Sequence, residues 1–144
     1  MRTIRTMRTI ALAFALAVPA LLPVQHAFAV TPVEIQSAFE AEARKSAPGF
    51  AGLSAARGER FFKATHGNDW SCASCHTQNP LAAGRHARTG KDITPLAPAA
   101  NAQRFADPDK VEKWFRRNCG DVLGRACSAA EKGDVVAYLR SLGN

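Results

Sequence analysis

The chain is 144 residues long, 47% hydrophobic and 22% charged, with a formal net charge of +7, which suits a single domain. Three of the basic residues, Arg2, Arg5 and Arg8, fall in the first 29 positions, which hold no acid. Residues 30–144 therefore carry 16 basic and 12 acidic side chains, a net of +4, and an excess this small and scattered excludes the dense Lys/Arg stripe of a nucleic-acid-binding protein.

The three arginines precede a mostly apolar run from Ile10 to Leu22, and Ala27-Phe28-Ala29 fits the small-x-small cleavage rule of an export signal. Pro19 and Pro23 and the shortness of the run argue against a bilayer span, which needs ~20 apolar residues. The expectation is a cleaved signal peptide over residues 1–29. A soluble periplasmic domain over residues 30–144 follows, with no stable membrane insertion after cleavage. Its compartment is oxidising, so cysteines without another use tend to pair.

Helix signals then follow in order. Thr31 as N-cap, Pro32 at N1 and Glu34 three residues after the cap open a helix through Ile35 and Phe39 that stops before Pro48-Gly49. A second helix starts at Ser54 and runs to about Ala64. Gly58 inside it costs about 1 kcal/mol, a cost that close approach of another helix would offset. Residues 77–106 are rich in Pro, Gly, Ala and Asn and hold neither helical nor strand period. Asp107-Pro108 opens a third helix, with Val111, Trp114, Phe115 and Asn118 on one face. Ser128 and Glu131 open the last, whose apolar side is Val135, Val136, Leu139 and Leu142, with Tyr138 at its edge. No stretch reads as a strand. The domain is expected to be all-α, with too few aliphatic residues for its core unless a large apolar cofactor supplies the rest.

Between the second and third helices stands Cys72-Ala73-Ser74-Cys75-His76. Two thiols separated by two residues suit thioether bonds to the two vinyl groups of a haem, and the following His is carried under the iron as its proximal ligand. A bare C-x-x-C also fits a redox dithiol or half of a zinc site, which Cys119 and Cys127 would complete. The adjacent His76 and the export signal favour one covalently bound haem c.

Electron-transfer cytochromes use Met or His as sixth ligand. The only methionines are Met1 and Met7, both lost with the signal. His66 lies in the loop entering the motif and His86 in the basic loop Gly84-Arg85-His86-Ala87-Arg88. His86 and, with less to favour it, Lys91 remain candidate distal ligands. Asn118 is the other polar group on an apolar face, where an unpaired amide costs a few kcal/mol if buried. Spacing alone leaves two readings open, a ligand toward the cofactor or a cap at a helix C-terminus. A bond between Cys119 and Cys127 would pin the end of the Asn118 helix to the start of the last one, and so hold Asn118 in place.

The CASCH motif, the stretch Arg88-Thr89-Gly90-Lys91-Asp92-Ile93-Thr94-Pro95-Leu96-Ala97-Pro98, the segment from Val111 to Cys119, and Gly124-Arg125-Ala126-Cys127 with Glu131-Lys132 together resemble the sphaeroides haem protein family of oxygen-binding monohaem cytochromes c. The resemblance covers nearly all of residues 30–144. It implies a class I cytochrome c-like fold, here with an additional N-terminal helix. It implies iron ligation by His76 and Asn118, a Cys119–Cys127 disulfide, release of Asn118 on reduction, binding of oxygen and other small diatomics, and a dihaem cytochrome c as redox partner. Trp114 and Phe115 are expected to line the haem pocket, with a purely core role as the alternative. A plain electron carrier and a gas sensor or scavenger are the competing functions, and no acid–base pair marks the chain as an enzyme.

Overall fold

The computed structural model describes residues 30–67 and 69–143; the expected signal peptide lies outside them. Its elements in chain order are α1 (Pro32–Ser46), α2 (Ala55–Lys63), α3 (Cys72–His76), β1 (Gly84–Arg85), β2 (Asp92–Ile93), α4 (Pro108–Leu123) and α5 (Ala129–Ser141). The four long helices begin where their caps predict. Thr31, Ser54, Asp107 and Ser128 each accept a hydrogen bond from the backbone N–H three residues on, and Glu34 and Glu131 complete capping boxes. Gly124 ends α4 in the left-handed region, φ +69°, a conformation that glycine adopts without steric cost.

The largest helix contacts are those of α2 and α1 with α5. The α2–α5 crossing is made at Gly58. A Cβ built there would lie 1.9 Å from the Asp134 carbonyl oxygen, so only glycine lets the two backbones meet, as the cost of a mid-helix glycine predicts. The carboxylate of the buried Asp134 closes the same crossing. It accepts from the Ser54 backbone N–H (2.6 Å) and from Arg57 through Nε and Nη2 (2.6 and 2.9 Å).

Phe62, Ala73, Val135, Tyr138 and Leu139 form one buried cluster, against which Cys72, Leu96, Phe105 and Phe115 pack. Ile35, Phe39, Val111 and Val136 form a second, where α1 and α4 meet α5. Phe39 and Phe115 meet edge to face at 5.6 Å, a geometry worth about 1 kcal/mol beyond its area. Tyr138, expected at an edge, is fully in the core. Residues 77–106 are irregular as expected, apart from one addition. Gly84 pairs with Ile93 and Arg85 with Asp92 in a two-residue antiparallel ribbon, too short to leave an alternating pattern in sequence. Among the described residues no helix is long and apolar enough to cross a membrane.

Candidate functional site

The Cys72–His76 motif is a single helical turn, α3, and its start is defined by serines on both sides of the cap. Ser71 accepts from the Ser74 N–H, and Ser74 Oγ accepts from the Ser71 N–H at 2.9 Å. One turn places Cys72, Cys75 and His76 at the same end of the domain. Cys72 packs against the Phe62 cluster, and the His76 ring lies 6.4 Å from the ring of Phe62, which in turn lies 5.6 Å from Tyr138. The α2–α5 crossing is thus the floor on which the motif rests.

Both thiols are half-buried and neither is in a disulfide. Burial pushes the Cys72 thiol up to about 11, which disfavours the thiolate that a redox dithiol or a zinc site requires. Burial, with the charges of Arg104 and His86, pushes His76 down to about 4. Its imidazole is therefore neutral near pH 7, with a lone pair to give. Two unpaired thiols and a neutral imidazole on one turn are the donor set that covalent haem attachment needs.

The β1–β2 ribbon leans on this turn. A Cβ at Gly84 would lie 2.1 Å from the Cys75 carbonyl oxygen, and the Ala87 N–H donates to Cys75 Sγ at 3.3 Å. The ribbon's turn is closed by His86. Its N–H donates to the Lys91 carbonyl and its carbonyl accepts from the Gly90 N–H, both at 2.8 Å. Its Nδ1 accepts from the N–H groups of Arg88 and Thr89, at 3.3 Å each. The His86 ring is thereby engaged within its own turn through Nδ1. His66 is exposed and tied to the end of α2, where its Nε2 donates to the Phe61 carbonyl at 2.7 Å. Lys91 is exposed on the turn.

On α4 the face predicted as uniform divides in two. Val111, Phe115, Cys119 and Val122 point inward, with Phe115 packed against both core clusters. Trp114, 49% exposed and with the Arg117 guanidinium over its ring at 5.4 Å, shares the neighbouring face with Asn118 and Asp121. Asp121 and Trp70, the second residue before Cys72, line one open hollow with Gly67 and Asp69, so this face of α4 looks toward the approach to α3. Asn118 is half-buried, and its side-chain amide makes no hydrogen bond among the described residues. Because α4 continues to Leu123 and is capped by Gly124, Asn118 is not a helix cap. Cys119 is joined to Cys127, with Cα atoms 5.6 Å apart; this pair therefore does not complete a four-thiolate site with Cys72 and Cys75. Behind the bridge Arg125 makes a two-pronged ion pair with Glu131 (2.6 and 2.9 Å).

The Pro95 carbonyl accepts from Arg104 Nε (2.9 Å) and Asn101 Nδ2 (3.4 Å). Arg104 was not singled out in the sequence, because a lone arginine in a segment without period carries no signal. Asp134 was missed for a similar reason: between Gly133 and Val135 it reads as a solvated charge.

The family described as a domain of unknown function, DUF1924, matches residues 48–139. Over 80 residues the chain is 51% identical to cytochrome c'' of Methylophilus methylotrophus, covering 56% of each protein. Over 69 residues it is 51% identical to the cytochrome c-type protein SHP of Cereibacter sphaeroides, covering 48% of this chain and 53% of the relative. These matches span only about half the length of the curated relatives. Superposition reaches further. The crystal structure of oxidised cytochrome c'' matches with a TM-score of 0.68 and 39% identity over 76% of this chain and 93% of that one. The structure of oxidised SHP, described as an oxygen-binding cytochrome c, matches with a TM-score of 0.68 and 40% identity over 77% and 96%. Both relatives share the all-helical cytochrome c fold, and the donor set on α3 suits their cofactor. The chain belongs to the DUF1924 family, that of the sphaeroides haem protein, and is a monohaem cytochrome with one covalently bound haem c.

Proposed function

We propose that this chain is an exported periplasmic redox protein in which His76 and Asn118 ligate ferric haem iron, and in which Asn118 leaves on reduction so that oxygen, nitric oxide or a similar diatomic can enter. Residues 1–29 are its cleaved signal, residues 30–144 the functional domain, and its electrons come from a dihaem cytochrome c. Bound through Cys72 and Cys75, the haem supplies an iron that cycles between ferric and ferrous states and takes small ligands in the latter.

The chain's own residues supply the rest. His76 gives a neutral imidazole, held on a capped turn above Phe62. Asn118 offers an amide oxygen, a hard and weak donor that suits ferric iron and competes poorly for ferrous iron. A displaced Asn118 keeps its amide N–H groups nearby, to donate to the entering ligand. Trp114 shares the Asn118 face and lines the pocket with it; Phe115 holds that face against α1 and α5. The Cys119–Cys127 bridge fixes the backbone next to Asn118.

The observation that carries this reading is the half-buried Asn118 amide, which has no hydrogen-bond partner among the described residues. The name of the SHP relative, an oxygen-binding cytochrome c, supports the choice of ligand. The test is Asn118→Ala, with ferric and ferrous absorption spectra recorded with and without oxygen and carbon monoxide. The variant is expected to change ferric ligation and to leave the ligand-free ferrous spectrum as it was. Unchanged ferric ligation would sink the assignment.

A further inference from the structure

We propose that Arg104 binds a haem propionate through Nη1, while its Nε and Nη2 hold the Thr94–Pro95 backbone. The inference rests on haem c at Cys72, Cys75 and His76, and not on the gas-binding reading.

Arg104 is half-buried. Its Nε donates to the Pro95 carbonyl at 2.9 Å, and its Nη2 donates to the Thr94 carbonyl at 2.7 Å and to Thr94 Oγ1 at 3.1 Å. A guanidinium carries five N–H groups in a fixed fork. Three are accounted for, and the two on Nη1 have no acceptor among the described residues. No carboxylate pairs with Arg104 among them either. Burial lowers its pKa and no neighbouring anion opposes that shift. A partly desolvated cation without a counter-charge is costly, and natural folds relieve the cost by pairing it.

The position of Arg104 says which anion is missing. Arg104 lies within coulombic reach of the His76 ring. The segment it holds is tied back to the motif, because the N–H groups of Leu96 and Ala97 both donate to the Pro80 carbonyl at 3.0 Å, four residues past His76. Arg104 is not on a loose loop. The next residue, Phe105, packs into both core clusters and holds φ at +59°, a left-handed conformation that costs about 1 kcal/mol in a residue with a side chain. The other arginines near the motif are placed differently. Arg85 is 72% exposed and pairs with Asp92, and Arg88 is exposed over the ring of Trp70. A planar donor fork on the His76 side, with one nitrogen free, fits a carboxylate. The two propionates are the carboxylates that the haem brings to that place.

The test uses the ferric holoprotein made with haem carrying ¹³C at the propionate carboxyls, so that isotope-edited infrared spectra read each propionate's protonation against pH. In the parent one propionate is expected to titrate about one pH unit or more below the other, a tenfold difference in proton affinity. Arg104→Gln should remove that difference. Arg104→Lys, which keeps the charge without the fork, should fall between, and Arg85→Gln and Arg88→Gln should leave both propionates unchanged. The proposal is overturned if Arg104→Gln weakens the fold but moves neither propionate, since Arg104 then serves only Thr94 and Pro95. It is equally overturned if the exposed arginines move a propionate and Arg104 does not. Should Arg104→Gln fail to hold haem, the parent alone decides: two propionates titrating alike refute it.

Discussion

Replacing Gly58 by Ala tests whether the site rests on the α2–α5 crossing. In an unconstrained helix this change gains about 1 kcal/mol. Here the new Cβ would meet the Asp134 carbonyl oxygen at 1.9 Å, its carbon at 2.4 Å and the Val135 nitrogen at 2.9 Å. All three are backbone atoms, so no side-chain rotation relieves the clash. Restoring ordinary contact at about 3.4 Å requires the helices to part by about 1.5 Å. A gap of even 0.5–1 Å forfeits roughly a quarter to a half of a contact's dispersion energy, and Phe62, Val135, Tyr138 and Leu139 all pack at this crossing. Overpacking costs about 1–3 kcal/mol, and the lost contacts add to it. After the helix-propensity gain, the expected net loss is about 2–4 kcal/mol. Gly120, inside α4 with nothing within 4 Å of its Cβ position, is the matched control. Gly120→Ala should be neutral or stabilising by up to about 1 kcal/mol. Denaturant unfolding of the two holoproteins, followed by far-UV circular dichroism and by the haem absorption band, gives both values. A Gly58→Ala protein as stable as the Gly120→Ala protein would refute the close-crossing argument.

Further changes probe the other supports. Gly84→Ala drives a Cβ to 2.1 Å from the Cys75 carbonyl oxygen and should lower the yield of attached haem, measured by the mass of the purified chain. Replacing Cys119 and Cys127 together by Ser opens a loop of sequence separation 8, for which chain entropy predicts a loss of about 2.5 kcal/mol in thermal or denaturant unfolding. Glu131 is held below the usual carboxylate range, first by its hydrogen bond from Arg125 and then by the Ser128 N–H. A lowered folded pKa means that its contribution is present above the unfolded value near 4.5 and lost as pH falls through the folded one. Glu131→Gln should therefore shrink the difference in melting temperature between pH 7 and pH 3, and an unchanged difference would remove Glu131 from that account.

What the sequence disclosed follows from how local each signal is. The four long helices were legible because each begins with its own cap, and a cap with the next three residues is a complete physical unit. The cofactor was legible because thioether attachment and iron ligation need three residues within five positions. Gly58 was legible as an anomaly, since only a close neighbour compensates a mid-helix glycine. What stayed hidden is held by contacts between segments far apart in sequence. The β1–β2 ribbon exists through the Cys75 sulfur and the His86 ring, which no periodicity reports. Asp134 is buried because Arg57 and Ser54, almost 80 residues earlier, come to meet it. The division of α4 into a Phe115 face and a Trp114–Asn118 face is set by where α1 and α5 lie, not by the helical repeat that places all four residues within one arc.

That division bears on how an exchange at Asn118 would proceed. The backbone of α4 is anchored from several directions. Asp107 caps it, Val111, Phe115 and Val122 bury one side, the Lys132 ammonium ties Glu112 to α5 at 2.8 Å, and Cys119 is bridged to Cys127. A whole-helix shift would break all of these together. Rotation of the Asn118 side chain breaks none of them, because its amide holds no hydrogen bond of its own among the described residues. On the proposed function, release on reduction would be a side-chain movement on a fixed helix, with the energetics of one amide exchanging iron for water or for an entering ligand. The anchored helix would then keep the amide in place to return, as a reversible switch needs.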